Sequence, residues 1–385
     1  MSAIDDVDGS PLLQQNDLRV SRKENHDEER YDDRFGYREN VFQVHGVDAD
    51  GVAVVRQRLS RGRMLKFFAK LPPCLIGIEA CASSHYWARE LVALGHNVKL
   101  MPAQYVKPYV KRSKNDAADA EAICEAVTRP TMRFVGIKTP EQQSAMMLHR
   151  VRLILNRQRT QLSNPLRAHL AEFGVVAPIG RNGIEQFFDV IANPADERVP
   201  TDARFCLEML AAQLRTVKEH ILENDRRILA SARETELGRR LMEIPGVGPL
   251  LASAIVATVP DPAIFRSGRN LAAWIGLVPR QNSSGGKERL GGITKAGHQY
   301  LRQMLIVGAM AVVRYAERNG AKRPWLVQLL ARRKPKVAAV ALANKNARMI
   351  WAMMTSGERY REPQAEWEIR CGQPRLMRLE RANRR

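Results

Sequence analysis

Nowhere in the chain is there an apolar run long enough to cross a bilayer. The longest, around Met304 to Val313, falls far short of the roughly 20 residues that a spanning helix needs. Nor does the chain open on an apolar segment of the signal-peptide kind, because its early residues are mostly polar and charged. Cysteine is scarce and scattered (Cys74, Cys81, Cys124, Cys206, Cys371), with no CxxC pair and no clustering with histidine. That pattern argues against structural zinc and a disulfide framework, and fits a reducing cytosol.

Acid is in short supply relative to base: 41 Asp and Glu face 61 Lys and Arg, a net charge of +20 at pH 7. Such an excess calls for a polyanion as partner. With no membrane-spanning or anchoring segment in view, nucleic acid is the polyanion expected. The 385 residues, 45% hydrophobic and 26% charged, are enough for two or three domains with cores of their own.

Residues 1–39 carry acidic clusters without apolar periodicity and are expected to be disordered. From Asn40 the pattern changes. Val41 to Val47 and Gly51 to Leu59 read as strands joined by the turn Asp48-Ala49-Asp50-Gly51. A short amphipathic helix follows near Met64 to Leu71, then a buried strand, Cys74 to Glu79, that ends in a carboxylate. Ser83 or Ser84 caps a helix through Leu94, Asn97 to Met101 is another strand, and a helix runs from near Asn115 to about Val127. This order describes an α/β domain with a mixed sheet.

Helical periodicity then takes over from Glu141 to Phe173 and from Ala203 to Ala232, with the Pro- and Gly-containing stretch 175–200 as a connecting loop. Pro165 interrupts the first helix and should kink it. In the second, Leu207, Leu210, Leu214, Val217, Ile221 and Ile228 follow an a/d register with Asn224 on the same seam. That seam suits a helical hairpin, a bundle helix or a dimer contact. Residues 241–358 are helical apart from one irregular insertion, Pro279 to Gly297, and a basic tail follows Arg359.

Three constellations carry chemistry. In the first, Glu79 closes a buried strand while Asp116 and Asp119 share a face at the start of a helix. Carboxylates so arranged can hold Mg2+ or Mn2+ for phosphodiester cleavage, although helix capping alone also favours Asp there. The flanking cations Lys107, Lys111, Arg112 and Lys114 suit a phosphate backbone. The second is Ile244-Pro245-Gly246-Val247-Gly248-Pro249, a helix-hairpin-helix pattern whose Gly246 and Gly248 let backbone N–H groups approach a phosphate. The third is residues 280–289, RQNSSGGKER, where Arg280, Lys287 and Arg289 can clamp a phosphate and Ser284 precedes two glycines as an exposed nucleophile. No His or Asp sits beside it as a base.

Taken together, these stretches resemble the DEDD transposases of bacterial insertion sequences, relatives of bridge-RNA-guided recombinases, over nearly all of residues 40–361. The matching runs are NVFQVHGVD, GIEACASSHYWARELVALGHNVKLMPAQYVKPYVKRSKNDAADAEAI, IPGVGPLLASAIVA, WIGLVPRQNSSGGKERLGGITKAG and VAAVALANKNARMIWAM. The resemblance implies α/β plus α: a RuvC-like (RNase H-type) mixed sheet over 40–140, a helical hairpin or coiled coil over 141–240, a mostly helical transposase domain with a helix-hairpin-helix over 241–358, and a basic tail over 359–385. It further implies that Glu79, Asp116 and Asp119 are the second, third and fourth acids of the set, and that Ser284 is the nucleophile that links to DNA. A structured guide RNA, assembly as a homodimer or homotetramer, and a place in the bacterial cytoplasm at the nucleoid belong to the same implication.

At one point the sequence departs from that family. The apolar strand carrying the first Asp should directly precede NVFQVH, but the chain reads Asp33-Arg34-Phe35-Gly36-Tyr37-Arg38-Glu39 there, with Gly36 where the acid belongs. Asp32 and Asp33 would need a shift of register to serve. The expectation is a missing first strand, a gap in the middle of the sheet, and impaired catalysis. Two other readings remain: a metal-dependent junction or repair nuclease, which needs no serine, and a non-catalytic nucleic-acid-binding remnant.

Overall fold

The structure, a computed structural model, describes residues 19–23, 41–111, 116–318 and 323–362. Two compact units divide the chain at Pro140.

The first unit is built on a five-stranded sheet: β1 (Arg19–Lys23), β2 (Val41–Val47), β3 (Ala53–Ser60), β4 (Leu75–Glu79) and β5 (Asn97–Met101), in the order β3-β2-β1-β4-β5. Strands β1, β2 and β3 pair antiparallel, whereas β1, β4 and β5 run parallel. The β2–β3 turn closes as its sequence suggests. Gly51 takes a positive φ of 82°, and the Asp48 carboxylate accepts a hydrogen bond of 2.8 Å from the backbone of Val52. Among the described residues, four α-helices accompany the sheet: α1 (Met64–Phe68), α2 (Ser84–Ala93), α3 (Ala103–Val106) and α4 (Asp116–Ala126).

Side chains alternate across the pleat, so each sheet face has its own core. Phe42, Val44, Ile76, Ile78 and Leu100 pack with Trp87 and Leu91 of α2 and with Met64 and Phe68 of α1. On the other face Met101 packs with Val106, Ile123 and Val127. Gly77 belongs to this second face. A Cβ there would stand 3.0 Å from both Ile123 and Met101 and 3.1 Å from Val127, so the bare backbone is what lets α4 lie close over β4.

One expectation needs correcting. No gap opens in the middle of the sheet, because Arg19–Lys23, a segment of the leader expected to be disordered, forms β1 between β2 and β4. In its register Ser21 lies opposite His45 on one side and Gly77 on the other. The rest of the leader, including Asp32, Asp33 and Gly36, lies outside the described residues. The sequence of β1 is Arg-Val-Ser-Arg-Lys: the central position has a strand but no carboxylate.

The second unit begins with α5 (Pro140–Glu172), α6 (Arg181–Ala192) and α7 (Thr201–Glu234). Helix α5 continues through Pro165. Helix α6 corrects the expected loop. Its Phe187, Phe188 and Ile191 fill a core with Leu166 and Leu170 of α5 and Leu207, Ala211 and Leu214 of α7, and that helical spacing was obscured by the Pro and Gly around it. The α7 seam is buried as its a/d register suggests, at Leu207, Leu214, Ile221, Asn224 and Ile228. Asn224 escapes the penalty of a buried amide by donating to the Leu148 carbonyl at 2.9 Å, and Arg152 pairs with Asp225 beside it. With Leu148 beside Asn224 at one end and Leu166 and Leu170 in one cluster with Leu207 and Leu214 at the other, α5 and α7 run antiparallel.

Next come α8 (Glu236–Leu241), α9 (Pro249–Thr258) and α10 (Gly268–Ile275), a hairpin of β6 (Pro279–Gln281) and β7 (Leu290–Ile293), and α11 (Gln299–Arg318), α12 (Pro324–Arg332) and α13 (Pro335–Ser356). Their core is dominated by Leu251, Ile255, Leu271, Ile275, Leu301, Leu305, Leu342 and Ile350. The insertion expected to be irregular is thus an ordered two-stranded hairpin.

Candidate functional site

Strand parity places the front acids. Glu79 is two residues beyond Gly77 and so faces the α4 layer, where Asp119 lies one helical turn before Ile123. Asp119 is buried, while Glu79 and Asp116 are half-buried. None of the three residues is without an interaction partner. Oxygen donors of this kind suit a hard divalent cation. Among the described residues, however, no three His, Cys, Asp or Glu side chains converge as a metal-holding group.

Of the cations expected to flank the acids, Lys107 is exposed at the start of a short 3-10 turn. Lys111 is tied to Glu121 at 2.9 Å, a bond that holds the Glu121 carboxyl below its usual range. Arg112 and Lys114 lie outside the described residues.

The serine segment has more definite geometry. Gly285 and Gly286 take positive φ values of 56° and 76° between Ser284 and Lys287, which pair across the turn. A two-residue turn with both central residues left-handed matches the twist of a hairpin, and glycine enters it without strain. The Lys287 N–H donates to the Ser284 carbonyl at 3.1 Å, and the Asn282 N–H donates to the Arg289 carbonyl at 2.8 Å. Every residue from Arg280 to Gly292 is exposed. The two serines differ: Ser283 Oγ accepts the Arg289 N–H at 3.1 Å, whereas the Ser284 hydroxyl has no partner among the described residues. Arg280, Lys287 and Arg289 form no ion pairs among the described residues either, so the exposed tip carries three cations against the single carboxylate of Glu288.

The α8–α9 turn gives its two glycines different work. Gly246 takes φ +88°, and its backbone is pressed against α11: a Cβ at Gly246 would stand 2.9 Å from the Gly308 carbonyl, and one at Gly308 would stand 1.9 Å from the Gly246 carbonyl. Gly248 caps α9 with an extended backbone and faces open space. Asn346 of α13 holds the turn by donating to the Pro245 carbonyl at 2.9 Å.

Two buried polar groups escaped the sequence reading. His149 lies between the Tyr300 hydroxyl, 3.0 Å from Nδ1, and the Ser253 hydroxyl, 3.2 Å from Nε2. Burial pushes its pKa down to about 4, with Arg152 contributing. Arg302, also buried, reaches the root of the serine hairpin. Neither has a local sequence signal, since each is defined by elements far apart in the chain.

No helix among the described residues is long and apolar enough to cross a membrane. Comparison with known proteins supplies the family. A model described as Transposase IS116/IS110/IS902 family matches residues 238–323, and a DEDD transposase model of the IS110 group matches residues 40–174. The chain is 49% identical to a putative transposase of Sinorhizobium fredii, across 85% of its own length and 84% of that protein. It is 48% identical to a probable family 20 transposase of Pseudomonas aeruginosa, across 83% of this chain and 96% of the other. The transposase for insertion sequence element IS1111A of Coxiella burnetii is 40% identical, with 84% and 89% covered. With likeness of this extent along most of its length, the chain belongs to the IS116/IS110/IS902 family of insertion-sequence transposases, enzymes that cut and recombine DNA.

Proposed function

We propose that this transposase joins itself to DNA through Ser284, with Arg280, Lys287 and Arg289 holding the phosphate. The observation that carries the reading is the division of labour between the two serines: Ser283 is spent on the hairpin, and the Ser284 hydroxyl, at a tip rich in cations, has no partner among the described residues. In the reaction, the Ser284 oxygen forms a bond to phosphorus as the bond to the departing deoxyribose oxygen breaks. The serine hydroxyl gives up its proton and the departing oxygen gains one. The phosphodiester energy stays in the serine ester, ready for a second sugar hydroxyl to reverse the step on another strand. Arg280, Lys287 and Arg289, which form no ion pairs among the described residues, stabilise the charge that builds on the phosphate.

The turn after α8 supports a helix-hairpin-helix role, in which the exposed backbone at Gly248 and the start of α9 take a phosphate while Gly246 fits the turn to α11. A structured guide RNA and a homodimer or homotetramer complete the reading by family resemblance. Transposases of the DEDD kind depend on divalent metal in general, and Glu79, Asp116 and Asp119 are the residues that would hold Mg2+ or Mn2+ here. The acid-free sequence of β1 supports impaired cleavage by this copy.

Strand transfer on duplexes carrying the element's ends, with Mg2+ and the element's own RNA, tests both parts. A weak serine–DNA adduct, abolished in Ser284→Ala, is expected. Cutting that persists in Ser284→Ala overturns the serine. Robust turnover by the unmodified chain, lost in Glu79→Ala, overturns the impairment.

A further inference from the structure

A hairpin whose residues 280–292 are all exposed has no core of its own, so its direction is set where it leaves and rejoins the helices. On the way out, α10 ends at Ile275 and Gly276 turns the chain with φ +81°. On the way back, Gly297 takes φ +75° just before α11. Three backbone bonds close this neck: Thr294 N–H to the Val278 carbonyl at 2.9 Å, Lys295 N–H to Gly276 at 3.3 Å, and His298 N–H to Trp274 at 3.4 Å. It has no slack. A Cβ at Gly276 would stand 2.1 Å from the Ala296 carbonyl, and one at Gly297 would stand 1.8 Å from the Trp274 carbonyl.

Into this neck reaches Arg302, from the first turn of α11. One guanidinium nitrogen, Nη1, donates to the Ile275 carbonyl at 2.7 Å and to the Ala296 carbonyl at 3.0 Å. Its two hydrogens thus go to the outgoing and the returning chain, one each. The side chain is only 9% exposed and makes no ion pair among the described residues. Burying a guanidinium without a carboxylate is costly. The C-terminal end of α10 offsets part of that cost through its helix dipole. Capping α10 needs only the bond to Ile275, however, and the second bond binds the returning strand to the first.

We infer that Arg302 is the positioning residue of the serine hairpin, clamping both ends of its neck so that Ser284 is presented to one phosphate. This rests on the reading of Ser284 as the residue that meets DNA. Reactivity falls steeply when a nucleophile is misplaced, by about 100-fold for an error of about 1 Å. A hairpin held only at its root amplifies any looseness there into displacement at its tip.

The test uses the full chain and a readout independent of turnover. In Ser284→Cys, the thiolate attacks a disulfide tethered to one backbone phosphate of a duplex from the element's end, releasing the small thiol of the tether. The parent chain, with serine at 284, gives the background from the native cysteines. Adding Arg302→Met is expected to slow cross-linking about tenfold or more and to spread it over neighbouring phosphates, at unchanged DNA affinity. Amide exchange at Thr294, Lys295 and His298 should quicken while the core amides of α13 stay protected. Arg302→Lys, which retains charge and donors, should recover part of both and serves alone where the methionine variant does not fold. Neck amides as slow as in the parent, or cross-linking equally fast and selective, overturn the inference. So does a uniform loss of protection across α10, α11 and α13. Failure of Ser284→Cys to exceed the background with Arg302 intact sinks the serine reading instead, and amide exchange then judges the clamp by itself.

Discussion

The backbone N–H of Arg289 donates to Ser283 Oγ at 3.1 Å, whereas the hydroxyl of its neighbour Ser284, the proposed nucleophile, has no partner among the described residues. Ser284→Ala is therefore expected to lower serine–DNA adduct formation at least ~1,000-fold, since the attacking atom is gone. Ser283→Ala should keep adduct formation while loosening the hairpin by about 0.5–1.5 kcal/mol. Mass spectrometry of the DNA-linked peptide decides which serine carries the ester. Attachment at Ser283 would reverse the assignment.

Arg280, Lys287 and Arg289 are exposed and form no ion pairs among the described residues, so each is expected to neutralise phosphate. Replacing any one with Ala should weaken binding similarly on all sequences and reduce the slope of log affinity against log salt by roughly 0.9. Titrations at several salt concentrations measure it. An unchanged slope in all three variants removes the hairpin from the DNA interface.

The register that pairs Arg22 with Ile78 brings the next residue, Lys23, level with Glu79. If the missing acid limits this copy, Lys23→Asp should raise Mg2+-dependent cleavage about tenfold or more by adding an oxygen ligand. A further Glu79→Ala change should cancel the gain. No gain, in a variant that folds normally, argues against the impairment as stated.

Gly246 and Gly248 differ in what a side chain would meet, and so should their alanine variants. Gly246→Ala forces a Cβ against the Gly308 carbonyl from a left-handed backbone, and is expected to destabilise the fold by about 1–3 kcal/mol. Gly248→Ala enters open space from an extended backbone and should cost about 1 kcal/mol or less. Its effect should appear in DNA affinity. Denaturant unfolding beside a binding isotherm separates the two.

Because His149 stays neutral down to about pH 4, the unfolded chain takes up a proton near pH 6.5 that the folded chain refuses. The stability His149 contributes is full above pH 6.5 and is lost as the pH falls from there toward 4, where the dependence levels off. The expected loss is on the order of 2–4 kcal/mol. His149→Gln should flatten the profile over that window. Thermal melts of both proteins from pH 7.5 to 4 check it.

How legible all this was in the sequence depends on the range of the forces involved. Gly51 and the alternation after it announced the β2–β3 hairpin, and the a/d spacing from Leu207 to Ile228 announced the buried seam of α7, because both are local patterns. Helix α6 was hidden by the Pro and Gly around Phe187 and Ile191. Strand β1 was hidden because a central strand rich in Arg and Lys contradicts the apolar pattern expected of that position. The site divides in the same way. Ser284 was visible beside its glycines, but the bond from Arg289 that distinguishes it from Ser283 depends on the hairpin register. The clamp from Arg302 depends on two helices and a returning strand meeting at one nitrogen.

The serine hairpin has one more property, which concerns copies of the protein meeting each other. A sheet of two strands has no interior, so β6 and β7 each leave an outer edge of amide and carbonyl groups unpaired within the sheet. Open edges of this kind template pairing between molecules unless charge keeps them apart. Arg280, Lys287 and Arg289 supply that charge along the arm itself. The cations proposed to meet DNA therefore also oppose pairing of this edge with a second copy of the hairpin.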